Sequence, residues 1–300
     1  SYTELLWAFE GITSYYDDLV LLRAGLIDVK TYLEILGQNV TRLLRNPGRL
    51  QQSLVDSSFD AWTKFYKQDE NSSNAIVSYY LKGSIVDLGL DLLLRDLAQH
   101  RLSLDSVMLT LWRDFAQRGR GVGESGIEDV TLALVEERIN SDAAETVRAF
   151  FHRALRETED FDLAHLLHRC GVKTHLRASE SPSDKGGTEG KSDTSMRAIL
   201  GGNFVGDAAG AKIQTLLNGS PGHKAGLSAG DIIIAVNGIR TDAGQLEKHL
   251  SRYCPGDRVT LHAFRRDELF SVEVELGHAP LDTCYFSIEN DEKLKYWLFP

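Results

Sequence analysis

Glu10 is the first residue of the chain whose setting could do chemistry. It lies in Leu6-Trp7-Ala8-Phe9-Glu10-Gly11-Ile12-Thr13-Ser14-Tyr15-Tyr16. Leu5, Ala8, Phe9, Ile12, Tyr15, Tyr16, Leu19 and Leu22 recur there at helical spacing, so a helix is expected from about Thr3 to Ala24. Thr3, Glu10, Thr13, Ser14 and Asp17 fall on its other face. A carboxylate in that stripe suits either a solvated surface or a polar cleft, and periodicity leaves both open, although Glu is rarely buried unpaired. The second candidate is Tyr80 in Ser78-Tyr79-Tyr80-Leu81-Lys82-Gly83. By spacing alone it reads as a packed aromatic on a buried helix. Tyr79 is expected to point about 100° away from it. His165-Leu166-Leu167-His168, with Cys170 nearby, is spaced i, i+3 rather than the i, i+4 of a helical zinc pair, so no metal role is expected. Gly119-Arg120-Gly121-Val122-Gly123 has no strand before it and no Lys-Ser/Thr after it, and reads as a flexible turn rather than a phosphate loop.

The elements that must position these residues are mostly helices up to about residue 170. Asp28 caps a second helix carrying Leu33, Leu36, Val40 and Leu43, stopped by Asn46-Pro47-Gly48. A third, apolar nearly all round, is expected from Asn74 to Ala98 and should be central. Ser103 opens a fourth; Ser125 with Glu128, and Asp142 with Glu145, suggest capping boxes for two more. A short helix over about Phe161–Cys170 ends at Gly171. Residues 1–176 are therefore expected to form a helical body. Ser179–Asp193 contains no large apolar residue, so 177–196 is expected to be a mobile linker or loop.

Beyond it, short strands are expected over Lys212–Leu217, Ile232–Val236, Arg258–Arg265 and Glu268–Leu276, with a helix over Ala243–Tyr253. The string Gly219–Gly238 packs a turn, a Pro221-led helical turn, a positive-φ glycine at Gly230, an apolar strand and an Asn237-Gly238 hairpin signal. It closely resembles the PDZ domain in its bacterial protease-associated form, covering about 197–279. That resemblance implies an extended peptide added to a strand, its terminal carboxylate held by a glycine loop. The matching loop is Leu200-Gly201-Gly202-Asn203-Phe204, with Leu246 and Leu250 offered by the groove helix. Residues 280–300 end in Tyr296-Trp297-Leu298-Phe299, too apolar to stay free, and are expected to dock on the body.

Lys plus Arg number 33 against 43 Asp plus Glu, a net charge of −10, which argues against nucleic acid or an anionic membrane as main partner. No apolar stretch reaches the roughly 18 residues of a membrane span. Cys170, Cys254 and Cys284 are odd in number and in no metal spacing, so no disulfide framework is expected and the compartment stays open.

Trp-x-x-Glu-Gly-x-Thr-x-Tyr-Tyr over Trp7–Tyr16, Ser-Tyr-Tyr-x-Lys-Gly over Ser78–Gly83, the run Gln52–Trp62, the Phe264–Leu269 hairpin and the C-terminal PDZ string together resemble the glycyl aminopeptidase family of zinc metallopeptidases, which are gluzincins related to aminopeptidase N. The resemblance implies a multidomain protein: the all-α C-terminal part of a gluzincin catalytic domain followed by a PDZ-like β domain with two helices. It implies that Glu10 is the third zinc ligand and that Tyr80 donates to the oxyanion of the tetrahedral intermediate. Catalytic zinc takes three protein ligands and leaves one position for water. The family's His-Glu-x-x-His string is absent: none of the nine histidines is followed by Glu. Zn2+ is thus expected in a complete protein and poorly held by this chain, which is expected to be inactive alone, to need an N-terminal part, and to self-associate or be marginally stable. The expected substrates are peptides with small N-terminal residues; the alternative is a non-catalytic peptide-binding scaffold.

Overall fold

The computed structural model describes residues 2–190 and 197–299. The chain opens with α1 (Leu6–Arg23), three residues later than its periodicity suggests, and α2 (Val29–Leu44), capped where the Asp28 carboxylate accepts from the Thr31 amide at 2.8 Å. Pro47 starts a 3-10 turn, Pro47–Leu50, that stops α2. Next come α3 (Leu54–Phe59) and a π-helical turn, Ala61–Phe65. The helix expected from Asn74 is two helices, α4 (Ser72–Ala75) and α5 (Tyr79–Leu97). The extended break at Ile76-Val77 is held by side chains from far away: Gln52 Oε1 accepts from the Val77 amide at 3.0 Å and the Ser57 hydroxyl donates to the Val77 carbonyl at 2.6 Å. Ser78 then caps α5.

α6 (Leu104–Asp114), α7 (Gly126–Arg138), α8 (Ser141–Phe151) and α9 (Leu163–Arg169) wrap the centre. Neither expected capping box forms. Ser125 donates to the Asp129 carboxylate at 2.6 Å, and Asn140, not Asp142, caps α8 by accepting from the Ala143 amide at 2.8 Å.

α5 is buried on nearly all sides and α1 lies along it. The two helices meet at paired glycines. A Cβ on Gly11 would fall 2.7 Å from the Gly83 carbonyl carbon, and one on Gly83 would fall 2.8 Å from the Trp7 carbonyl oxygen. Trp7 joins Ala8, Ile12, Tyr15 and Leu19 in the core, while Phe9, placed by periodicity in the apolar stripe, is 51% exposed.

After α9 comes β1 (Val172–Arg177). Of the segment expected to be a mobile linker or loop, residues 180–190 form a loop that is anchored rather than mobile. Arg177 forks onto the Asp184 carboxylate at 2.6 and 3.2 Å, and the Gly187 amide donates to the Cys284 carbonyl at 2.8 Å. Arginine forks and backbone bonds replace the apolar burial that the composition lacks. Residues 191–196 of that expectation lie outside the described residues.

The second unit contains β2 (Ala198–Ile199), β3 (Gly202–Gly206), β4 (Ala211–Leu216), α10 (Pro221–Lys224), β5 (Ile232–Val236), β6 (Ile239–Arg240), α11 (Ala243–Leu250), β7 (Arg258–Arg265), β8 (Glu268–Glu275) and β9 (Gly277–His278). Its sheet runs β3-β4-β5-β7-β8, antiparallel throughout, with β6 folded back on β5. Asn237 and Gly238 both take positive φ, +48° and +77°, at the β5–β6 hairpin. Ile213, Ile233, Leu246, Leu250 and Leu261 fill the core between sheet and α11. β2 pairs with β9 beside the sheet.

The last residues return to the helical body. β10 (Thr283–Ile288) pairs along the whole of β1, and α12 (Asp291–Leu298) buries Trp297, whose indole N–H donates to the Tyr15 hydroxyl at 3.3 Å. The two units are pinned at Asn74: its side-chain amide donates to the Leu216 carbonyl and accepts from the Asn218 amide, both at 2.9 Å. No helix among the described residues is long and apolar enough to cross a membrane.

Candidate functional site

The run Gln52–Trp62 explains how two distant strings come to one place. Ser58 Oγ accepts from the Trp7 amide at 2.9 Å, which satisfies a free donor at the start of α1. Gln52 and Ser57 from the same run fix the extended break just before α5. Lys82 is buried and donates to the Arg49 carbonyl at 2.9 Å, tying the first turn of α5 to the 3-10 turn. Burial lowers its ammonium's pKa.

Glu10 and Tyr80 each stand one position from this framework, Glu10 before Gly11 on α1 and Tyr80 in the first turn of α5. Both are half-buried. The Glu10 carboxylate makes no hydrogen bond or ion pair among the described residues. Its charge reaches Tyr80. The Tyr80 phenol is raised above its ordinary value first by the neighbouring Tyr66 hydroxyl, then by burial, with the Glu10 charge adding to the rise. Tyr79 does not diverge from Tyr80 as helical spacing suggests. The two rings stack with centroids 4.6 Å apart, because α5 begins at Tyr79 and no preceding helical turn restricts its rotamer.

Asp87, two turns along α5 from Tyr80, is fully buried, and neither carboxylate oxygen has a partner among the described residues. Burial alone raises it well above the usual carboxylate range. Its Oδ2 lies where a Cβ of Gly11 would be 2.7 Å away. On the other flank of α1 a largely apolar cavity of about 470 Å³ is lined by Phe9, Ile12, Thr13, Leu111, Trp112 and Val122. Gly121 and Val122 show that the glycine string forms a wall of this cavity. Sequence reasoning missed Asp87, Tyr66 and the cavity; an aspartate in an otherwise apolar helix and the Trp62-x-x-Phe65-Tyr66 cluster were the available signals.

Glu10 is a suitable oxygen donor, but it is one donor. No group of three His, Cys, Asp or Glu able to hold a metal occurs among the described residues. His168 pairs with Glu289 at 3.2 Å, and burial pushes the Cys170 thiol up to about 12.

In the second unit the loop Leu200–Phe204 borders a cleft of about 590 Å³ closed from the body side by Leu44, Pro47 and Ser73. Gly201 takes φ +87° beside Ser220. β3 is the sheet edge and Asn203 is exposed. Leu200 lines this cleft, but Leu200, Leu246 and Leu250 are all buried, at 1%, 0% and 1% exposure, and Leu246 and Leu250 on α11 pack in the core against the sheet.

This architecture is that of a peptidase-related protein with a PDZ domain. Residues 1–86 match the M61 glycyl aminopeptidase family model and residues 214–262 the PDZ domain model, so the resemblance drawn from both motif strings stands. The solved structure of an aminopeptidase N family protein from Idiomarina loihiensis is 37% identical, with a TM-score of 0.88 over 100% of this chain and 49% of that one. The chain thus spans about half the length of that protein. Probable periplasmic serine endoproteases, DegP-like, match over short stretches: 36% identity over 74 residues in Hahella chejuensis, 24% of this chain and 16% of that protein, and 39% over 77 residues in Bartonella henselae, 25% and 15%.

Proposed function

We propose that the chain is the C-terminal part of a zinc-dependent aminopeptidase that releases small N-terminal residues, Gly or Ala, from peptides. The observation that carries this reading is the placement of Glu10 and Tyr80 on the two helices that cross at Gly11 and Gly83, close enough for the Glu10 charge to act on the Tyr80 phenol. Glu10 then supplies one ligand, with the other donors and the general base in a His-Glu-x-x-His segment outside these 300 residues. A zinc ion held there would lower the pKa of a bound water and polarise the scissile carbonyl. Tyr80, held in its neutral form, donates its hydroxyl proton in a hydrogen bond to the developing oxyanion. With a single donor the chain by itself is inactive. The edge of β3 and the Gly201-Gly202 loop take a peptide C-terminus by strand addition.

The test uses the protein extended through a His-Glu-x-x-His segment. Glu10→Gln should lower both bound zinc and Gly- or Ala-peptide hydrolysis, and chelator should abolish hydrolysis in the parent. Unchanged zinc content in the variant would remove Glu10 from the ligand set.

A further inference from the structure

Tyr66 belongs to neither motif, yet its hydroxyl stands 3.1 Å from that of Tyr79. The Tyr79 ring stacks on Tyr80, so three phenols gather at the start of α5. The π-helical turn Ala61–Phe65 puts Tyr66 there, with the Tyr66 amide donating five residues back to the Ala61 carbonyl at 3.0 Å. Such turns occur frequently at functional sites. The Tyr66 ring is clamped on both sides, stacked on Trp62 at 5.2 Å and edge-on to Phe65 at 5.4 Å. Phe65 packs in turn against Tyr79 at 5.1 Å and Tyr80 at 6.1 Å. Tyr79 is buried while Tyr66 is 54% exposed, so the cluster runs from core to surface.

We infer that Tyr66 is a positioning residue, whose clamped hydroxyl, by hydrogen bonding within the Tyr66–Tyr79–Tyr80 cluster, holds the Tyr80 hydroxyl in one orientation as a hydrogen-bond donor. The inference rests on the reading of Tyr80 as oxyanion donor. An orientation fixed in advance needs no reorganisation as charge develops.

Tyr66→Phe removes the hydroxyl and keeps the stacked ring. In the 300-residue chain carrying 13Cζ-labelled tyrosine, Tyr66→Phe should move the Tyr80 Cζ resonance, assigned by its loss in Tyr80→Phe. In the extended protein, Tyr66→Phe should lower kcat about tenfold with KM unchanged, the size of one lost orienting hydrogen bond. Tyr66→Trp, which keeps a ring but not the hydroxyl at that position, should behave alike. If Tyr80→Phe cuts kcat while Tyr66→Phe changes neither kcat nor the Tyr80 resonance, the inference falls and the reading of Tyr80 stands. If Tyr80→Phe leaves kcat intact, both fall.

Discussion

Gly11→Ala should destabilise the protein although alanine is the better helix former. The added methyl would lie 2.7 Å from Asp87 Oδ2, 2.7 Å from the Gly83 carbonyl carbon and 2.8 Å from the Gly83 Cα. Ordinary contact is 3.4 Å or more, and two of the three neighbours are backbone atoms of α5 that no rotamer change can move. Overpacking of this kind costs about 1–3 kcal/mol. Because backbone on α5 cannot give way, this site falls near the upper end, about 2–3 kcal/mol, and the propensity gain of Ala over Gly offsets about 1 kcal/mol of that. The net loss should be about 1–2 kcal/mol, a fall in Tm of roughly 2–8 °C in a chain of this size. Gly244→Ala on α11 is the control, since its methyl would meet nothing closer than 3.4 Å. Urea unfolding followed by tryptophan fluorescence reads the Gly11 variant, as Trp7 and Trp297 are buried in the body, and far-UV circular dichroism reads the Gly244 control, whose unit holds no tryptophan. In the extended protein the same variant should also lose activity, because forcing α1 off α5 separates Glu10 from Tyr80. A Gly11→Ala protein as stable as the parent would mean that the glycine crossing does not set the spacing of the two helices.

Asp87→Asn should change how stability depends on pH. Burial raises the Asp87 carboxyl, so the folded state holds a proton that the unfolded state releases above about pH 3.9. Stability contributed by this group is therefore present below that pH and lost as pH rises through the folded value; the Asn variant should gain on the parent as pH rises above about 4, and a difference that does not change with pH would refute the assignment. Asp184→Ala should free residues 180–190, so that trypsin cuts at exposed Lys185 at least several times faster; equal rates would mean the Arg177 fork does not hold the segment. Asn74→Ala should loosen the PDZ unit from the body by leaving the Leu216 carbonyl and Asn218 amide unpaired, a cost of about 1–3 kcal/mol; small-angle scattering indistinguishable from the parent would count against that pin.

Local signals carried the PDZ unit well. Ile232–Val236 and Arg258–Arg265 stand where alternation and turn residues put them, and Asp28, Pro47 and Pro221 end or begin elements by their own chemistry. What was not legible depends on side chains distant in sequence. Ile76-Val77 continues the apolar pattern of α5, and only Gln52 and Ser57 make the chain extended there. The anchoring of residues 180–190 needs Cys284, almost a hundred positions on. Helical spacing likewise marked Leu246 and Leu250 as facing something, without saying whether that was a peptide or the sheet. For the candidate site, periodicity assigned Glu10 to a polar stripe and Tyr80 to a packed one. The meeting of their helices is encoded in Gly11 and Gly83, whose missing side chains leave no trace in a hydrophobic pattern.

The order of assembly follows from the place of β10 and α12. They come after the PDZ unit in the chain but complete the helical body, filling its core with Trp297 and pairing with β1. The PDZ unit is thus an insertion, its entry and exit strands joined as β2 and β9. On a ribosome, the inserted unit can close while the body still waits for β10 and α12. A stop codon placed just after residue 279 would therefore spare the PDZ fold and ruin the peptidase-like half that precedes it.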